Sequence, residues 1–330
     1  MGEIRKDLVH DEWVVVNIDR VVKPRDLPVP RQGHTETMPG FCPFCQGNEG
    51  VTPPELLALR PPDSPANSSG WDIRVIPNKF TAYSLLTDYA EEETGLNQMR
   101  TGFGDHEVII ESAEHGVEFH HHSVERICSV LKVVQSRFNS LASDDRIKHI
   151  QIYKNRGIFA GASLHHSHLQ IISLPYNTNQ YQGAENYHTR TGNCLWCDIL
   201  KQEKQLGARI VREENGFTVL TPYASRFSYE TWIVPDEHQA DISKLGAEEL
   251  YHLATLMHKT TNLLVEQLDN PSYNIVFNNG PVNVPGRAPY HWYIEIFPRL
   301  IVQAGVEIAT GMYMNPISPE WAAENLRERW

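Results

Sequence analysis

Apolar residues recur at three- and four-residue steps along two stretches of the chain: Val124, Ile127, Cys128, Leu131, Val134 and Phe138, then Leu250, Leu253, Ala254, Met257 and Leu264. Each pattern predicts an amphipathic helix with one core-directed face, the first starting behind a Ser123 cap. Between and around them lie short runs rich in β-branched residues, at Trp13 to Val16, Val108 to Ile110, Ile150 to Tyr153 and Ile275 to Phe277, separated by Pro- and Gly-containing connections. These read as strands, and strands outnumber helices. Ser318-Pro319-Glu320 predicts a last helix running towards Trp330, with Ser as cap and Pro in the first turn.

The pattern occurs twice. After Cys42/Cys45 come Asn78-Lys79-Phe80-Thr81, a strand from His106 to Glu111, His115, a helix, a strand from Ile150 to Asn155, and His166. After Cys194/Cys197 come Asn215-Gly216-Phe217-Thr218, a strand from Tyr229 to Val234, His238, a helix, a strand from Asn274 to Asn279, and His291. The offset between copies is about 152 residues at the cysteines, about 137 at the asparagines and then near 123 to 125, so length differences fall in early loops, where insertions are tolerated. The expected organisation is a tandem repeat, residues 1–175 followed by 190–330, with Leu174 to Asn193 as the link.

Each copy carries a Cys2His2 set: Cys42, Cys45, His115 and His166 in the first, Cys194, Cys197, His238 and His291 in the second. Two thiolates and two imidazoles suit a tetrahedral zinc ion with no open position, which marks a structural site. Two structural zinc ions are therefore expected. Cys128 reads as a buried apolar residue, and His120-His121-His122, just before a helix cap, as a solvated run.

The stretch Gly161-Ala162-Ser163-Leu-His165-His166-Ser167-His168-Leu169-Gln170 holds the candidate chemistry. On a strand, His166, His168 and Gln170 share one face, while His165 points away. With His166 tied to metal, His168 can present a ring nitrogen to phosphorus and Gln170 can donate to a phosphate oxygen. Gly161 and Ser163 supply backbone N–H groups and a hydroxyl nearby for an α-phosphate. An imidazole that attacks phosphorus forms a phosphoramidate that can be passed on, which predicts ping-pong kinetics. In the second copy His291 keeps the metal position, but Tyr293 and Glu295 replace the other two.

These motifs resemble the transferase branch of the histidine-triad superfamily, which includes galactose-1-phosphate uridylyltransferases and ADP-glucose phosphorylases. The resemblance covers nearly the whole chain, from Arg5-Lys-Asp, Arg20 and Lys23-Pro24 to Glu307-Ile-Ala-Thr-Gly-Met-Tyr-Met-Asn315-Pro316. It implies an α+β fold of two tandem half-barrels of antiparallel strands with flanking helices, and a homodimer. It implies nucleotidylation of His168, phosphate contacts from Gln170 and Ser163, and nucleotide contacts from Asn78, Asn155, Gly161, Ala162 and Arg20. The implied partners are a nucleotide sugar and a sugar phosphate or phosphate. Ser167 between the histidines, Glu295-Ile-Phe297 and Met312-Tyr313-Met314 depart from the enterobacterial galactose type and look more like the ADP-glucose phosphorylase branch. A nucleotide hydrolase remains an alternative, although hydrolytic relatives tend to carry a histidine where Gln170 stands.

Charge and composition narrow the field. The chain has 330 residues and a formal net charge of −12, which argues against general nucleic-acid binding. Nothing approaches a membrane span, and the first residues resemble no signal or transit peptide, so a cytoplasmic location is expected.

Overall fold

Strand propensity and alternation place fifteen strands and six helices in a computed structural model that describes residues 2–17 and 41–330. In the first part of the chain these are β1 (Gly2–Asp7), β2 (Glu12–Asn17), β3 (Leu57–Leu59), β4 (Ile73–Pro77), β5 (Glu91–Thr94), β6 (Asn97–Arg100), β7 (Asp105–Ile110), α1 (Val124–Ala142), β8 (His149–Arg156) and β9 (His168–Leu174). Then follow α2 (Gln182–Thr191), α3 (Leu195–Leu206), β10 (Ile210–Glu214), β11 (Phe217–Leu220), β12 (Thr231–Pro235), α4 (Ala247–Gln267), β13 (Tyr273–Asn278), β14 (Tyr293–Pro298), α5 (Gly305–Thr310), β15 (Tyr313–Asn315) and α6 (Pro319–Arg327).

Ten of these strands form one antiparallel sheet in the order β10-β11-β12-β14-β13-β8-β9-β7-β4-β3. The order reads the same from both ends once β3, β4, β7, β9 and β8 are matched with β10, β11, β12, β14 and β13. The two sets of five meet at β8 and β13, where Tyr153 lies opposite Val276 and Asn155 opposite Asn274. The fold is therefore α+β with a large antiparallel sheet.

Helix α1 starts where the Ser123 hydroxyl accepts the Arg126 N–H at 3.2 Å, satisfying one of the orphan donors of its first turn. Its apolar face, with Ile127, Cys128, Leu131, Val134 and Phe138 all buried, packs with the matching face of α4 in one core that also takes in Ile152 and Ile275 of the central strands. Gln135 crosses to the second set, donating to the carbonyls of Ile242 and Leu245 at 3.0 and 2.9 Å. α6 is capped by Ser318, whose hydroxyl accepts the Trp321 N–H at 3.2 Å.

Three features differ from expectation. The stretch from Leu174 to Asn193 contains a ten-residue helix, α2, closed by Gly192 in the left-handed region. Strand β9 begins at His168, so His166 precedes the ladder. The histidine run is not a solvated face: a 3-10 turn at Phe119–His121 folds His120 and His122 inward, and only His121 is exposed. Burial, helped by the neighbouring His121, pushes the His120 imidazole down to about 3.

Candidate functional site

The Cys-x-x-Cys turn at Cys42/Cys45 closes through the Cys45 N–H on the Cys42 carbonyl at 3.2 Å. Cys42 Sγ and Cys45 Sγ both lie 3.6 Å from His166 Nδ1, and Cys45 Sγ lies 3.4 Å from His115 Nδ1. In the second set Cys197 Sγ lies 3.5 Å from His238 Nδ1 and 3.7 Å from His291 Nδ1. Adjacent corners of a tetrahedron with metal–sulfur bonds of about 2.3 Å and metal–nitrogen bonds of about 2.0 Å are about 3.5 Å apart. All four donors of each set lie within 4.8 Å of one another, so each can hold a metal ion. The outer nitrogens are already engaged, His166 Nε2 with the Ser112 carbonyl at 2.8 Å and His291 Nε2 with the Pro235 carbonyl at 2.9 Å. That fixes the tautomer with Nδ1 turned to the metal position.

Two residues on, His168 is buried and its ring stands edge-on to Phe44 at 5.3 Å. Its Nδ1–H donates to the His166 carbonyl at 2.8 Å, so the lone pair is left on Nε2. Burial first, and the Lys154 ammonium second, push this imidazole down to about 4. It is neutral at pH 7, as a nitrogen nucleophile must be.

Gln170 shares the face. Its Oε1 lies 2.8 Å from His106 Nε2 and accepts the Tyr153 hydroxyl at 3.1 Å, with Asn78 Nδ2 a further 3.2 Å from His106. The carbonyl end is thus held and the NH2 end is left for an acceptor. Asn78 Oδ1 takes the Phe80 N–H at 2.9 Å. Burial lowers the His106 pKa and favours its neutral form. Neither His106 nor Tyr153 was singled out from sequence as a site residue; the signal is the register, which sets Tyr153 directly opposite Gln170.

Gly161, Ala162 and Ser163 form the turn after β8. Gly161 has φ +81, and its N–H donates to the Ile158 carbonyl, while the Ala162 N–H donates to the Gly157 carbonyl, each at 3.1 Å. Those two N–H groups therefore close the turn and are not turned to a phosphate, unlike the cradle expected from sequence. Ser163 is exposed. Asn155 is fixed through Oδ1 by Asn274 Nδ2 at 2.8 Å, which also donates to the Ala160 carbonyl at 2.9 Å. Arg20 lies outside the described residues. His165 is exposed, as its place off the shared face predicts, with Nε2 3.3 Å from Glu118.

A family model described as galactose-1-phosphate uridyl transferase, N-terminal domain, matches residues 61–178. The ADP-glucose phosphorylase of Arabidopsis thaliana is 34% identical, over 99% of this chain and 92% of its own length. The chain belongs to the family that joins the ADP-glucose phosphorylases with the galactose-1-phosphate uridylyltransferases. The galactose-1-phosphate uridylyltransferase of Thermotoga maritima is 27% identical over 99% of this chain and 98% of its own. A crystal structure of an Arabidopsis thaliana ADP-glucose phosphorylase with bound ADP-glucose superimposes with a TM-score of 0.80 at 30% identity, covering all of both chains. A uridylyltransferase structure at 22% identity, with a TM-score of 0.75 over 99% of this chain and 98% of its own, shows the same fold. The protein is an enzyme of the nucleotidyl-transferring class. Among the described residues no helix is long and apolar enough to cross a membrane.

Proposed function

We propose that this family member moves a nucleoside monophosphate from a nucleotide sugar to a hexose 1-phosphate or phosphate through a covalent intermediate on His168. The observation that carries the reading is the His168 tautomer, with Nδ1 held by the His166 carbonyl and Nε2 carrying the lone pair. In the first step Nε2 attacks the α-phosphorus, an N–P bond forms, and the bond to the bridging oxygen breaks with its electron pair, releasing the sugar phosphate. In the second an acceptor phosphate oxygen attacks the same phosphorus, the N–P bond breaks and the imidazole is restored.

Gln170 donates to a non-bridging oxygen as charge builds, through the NH2 group that His106 and Tyr153 leave unoccupied. Ser163 lines the phosphate side; Asn78, Asn155 and Arg20, with the space at Gly161 and Ala162, belong to the nucleotide side. Zinc is the ion that the two Cys2His2 sets fit, and it supplies structure: with four protein donors it has no open position for substrate.

Adenosine as the base draws support from the ADP-glucose phosphorylase relative, and uridine from the more distant uridylyltransferase. The tandem repeat, 1–175 and 190–330, a homodimer and a cytoplasmic location complete the reading. Intact mass after separate incubation with ADP-glucose and UDP-glucose tests it. An adenylyl adduct on wild type and none on His168→Ala is the expected outcome. A uridylyl adduct alone moves the enzyme to the galactose branch, and an adduct that persists in His168→Ala removes His168 from the mechanism.

A further inference from the structure

Behind the nucleophile strand, on the face away from the His168 ring, lies a buried ion pair that the transfer chemistry does not use. Lys154 of β8 is 1% exposed and Glu111, just past β7, is 0% exposed. The Lys154 ammonium donates to Glu111 Oε1 at 2.7 Å, Ser167 Oγ at 2.9 Å and the His168 carbonyl at 3.2 Å. The Ser167 hydroxyl in turn donates to Glu111 Oε2 at 2.5 Å. All three N–H bonds of the ammonium and both carboxylate oxygens are satisfied, and two of the bonds end on consecutive residues, Ser167 just before β9 and His168 at its start.

Buried ion pairs are costly to desolvate, and apolar residues of similar volume serve stability as well or better. The molecule contains that replacement. Matching Gln170 with Glu295 through the strand register brings Lys154 onto Phe277, Ser167 onto Trp292 and Glu111 onto Val234–Pro235. All of these are buried and apolar. The half with Tyr293 at the nucleophile position packs this place with hydrocarbon; the half with His168 packs it with a charged clamp. The fold does not need the clamp.

We propose that Lys154, Glu111 and Ser167 are positioning residues, which fix the His168 main chain from behind so that Nε2 stays on the line of attack. The inference rests on the reading of His168 as nucleophile. A displacement on the order of 1 Å at a reacting atom can cost about 100-fold in rate, and a carbonyl tied to a buried ammonium resists such a shift. Ser167 has a specific part: its hydroxyl bridges the pair, accepting from Lys154 and donating to Glu111.

The test is the rate of adduct formation on mixing with ADP-glucose and with UDP-glucose, in wild type, His168→Ala, Ser167→Ala, Ser167→Thr and the double variant Glu111→Leu/Lys154→Met, which copies the apolar packing of the second half. Melting temperature and metal content are followed in parallel. The double variant is expected to melt as wild type or higher and keep its metal, while adduct formation slows by about 10- to 100-fold with KM within about twofold. Ser167→Ala is expected to slow it by roughly fivefold and Ser167→Thr to restore it. Rates within about twofold of wild type in both the double variant and Ser167→Ala overturn the clamp. Should the double variant not fold, the Ser167 pair decides alone. An adduct in His168→Ala refutes the nucleophile reading itself, whereas no adduct there with unchanged rates in the clamp variants refutes only the clamp.

Discussion

The two halves of the sheet carry the same metal-type donor set beside matching strands, and the residues that follow it have gone opposite ways. After His166 come His168 and Gln170, with polar neighbours that leave Nε2 and an amide NH2 group available. After His291 come Tyr293 and Glu295, and there every group is consumed. The Tyr293 ring lies against Trp196 at 4.0 Å, and its hydroxyl is 3.4 Å from His10 Nε2. Glu295 accepts Arg226 at 2.9 Å, Arg226 also reaches Glu230 at 3.3 Å, and His10 is held by Asp7 at 2.7 Å. The turn between β1 and β2 thus fills the place that the proposed transfer gives to substrate in the other half. A metal-type set and a strand pair do not make a site; the site needs two unsatisfied polar groups beside them.

Mirror-image substitutions separate the halves most sharply. His168→Ala is expected to lower turnover by on the order of 10⁴-fold or more, since the nucleophile itself is lost. Tyr293→Phe, at the matching position, is expected to leave turnover within about twofold. Steady-state transfer from ADP-glucose to phosphate measures both. Equal losses in the two variants would mean that the second half takes part in chemistry.

The metal-type sets come next. Cys45→Ser and Cys197→Ser each remove one thiolate, and each is expected to lower the melting temperature by roughly 10 °C, on the basis of several kcal/mol of metal-linked folding energy at about 2–4 °C per kcal/mol. Only Cys45→Ser is expected to lower kcat as well, because the main chain that holds the Cys42/Cys45 partner His166 also holds His168 Nδ1. Calorimetry, metal content and turnover on the same samples check the split.

At the third matched pair the effects diverge in kind. Gln170→Ala is expected to lower kcat by about 100-fold through loss of a donor to the developing charge. Glu295→Ala is expected to cost about 3 kcal/mol of stability, through a buried Arg226 left short of a partner, with turnover intact. Urea unfolding and kcat distinguish them.

Much of this is legible in the sequence. The helix faces, the Ser123 and Ser318 caps, the doubled Cys2His2 spacing and the common face of His168 and Gln170 follow from periods of 3.6 and 2 and from ligand chemistry. What stayed hidden depends on contacts distant in sequence. His120 and His122 are buried because a 3-10 turn before the Ser123 cap folds them towards Tyr273 and Glu111. Gly161 closes its own turn, a hydrogen-bonding choice that composition does not encode. The clamp at Lys154 joins three strands whose adjacency only the sheet order reveals.

The smallest expected effect is one of pH, and it has opposite signs in the two halves. In the first half burial keeps His120 neutral, its pKa pushed down to about 3. In the second, burial and the Arg226 guanidinium oppose the charged form of His10, but Asp7 and Glu295 outweigh them and the pKa is raised above 6.5. A histidine with a raised folded-state pKa binds its proton more tightly folded than unfolded. Its contribution to stability is fully present below the unfolded value of about 6.5 and is lost as pH rises through the folded value. The melting temperature of wild type should therefore decline between about pH 6.5 and the alkaline side, and His10→Gln should flatten that decline while starting lower at acid pH. A parallel decline in the variant would mean that His10 is neutral in the fold and that the charge of Arg226 alone balances the carboxylates around Tyr293.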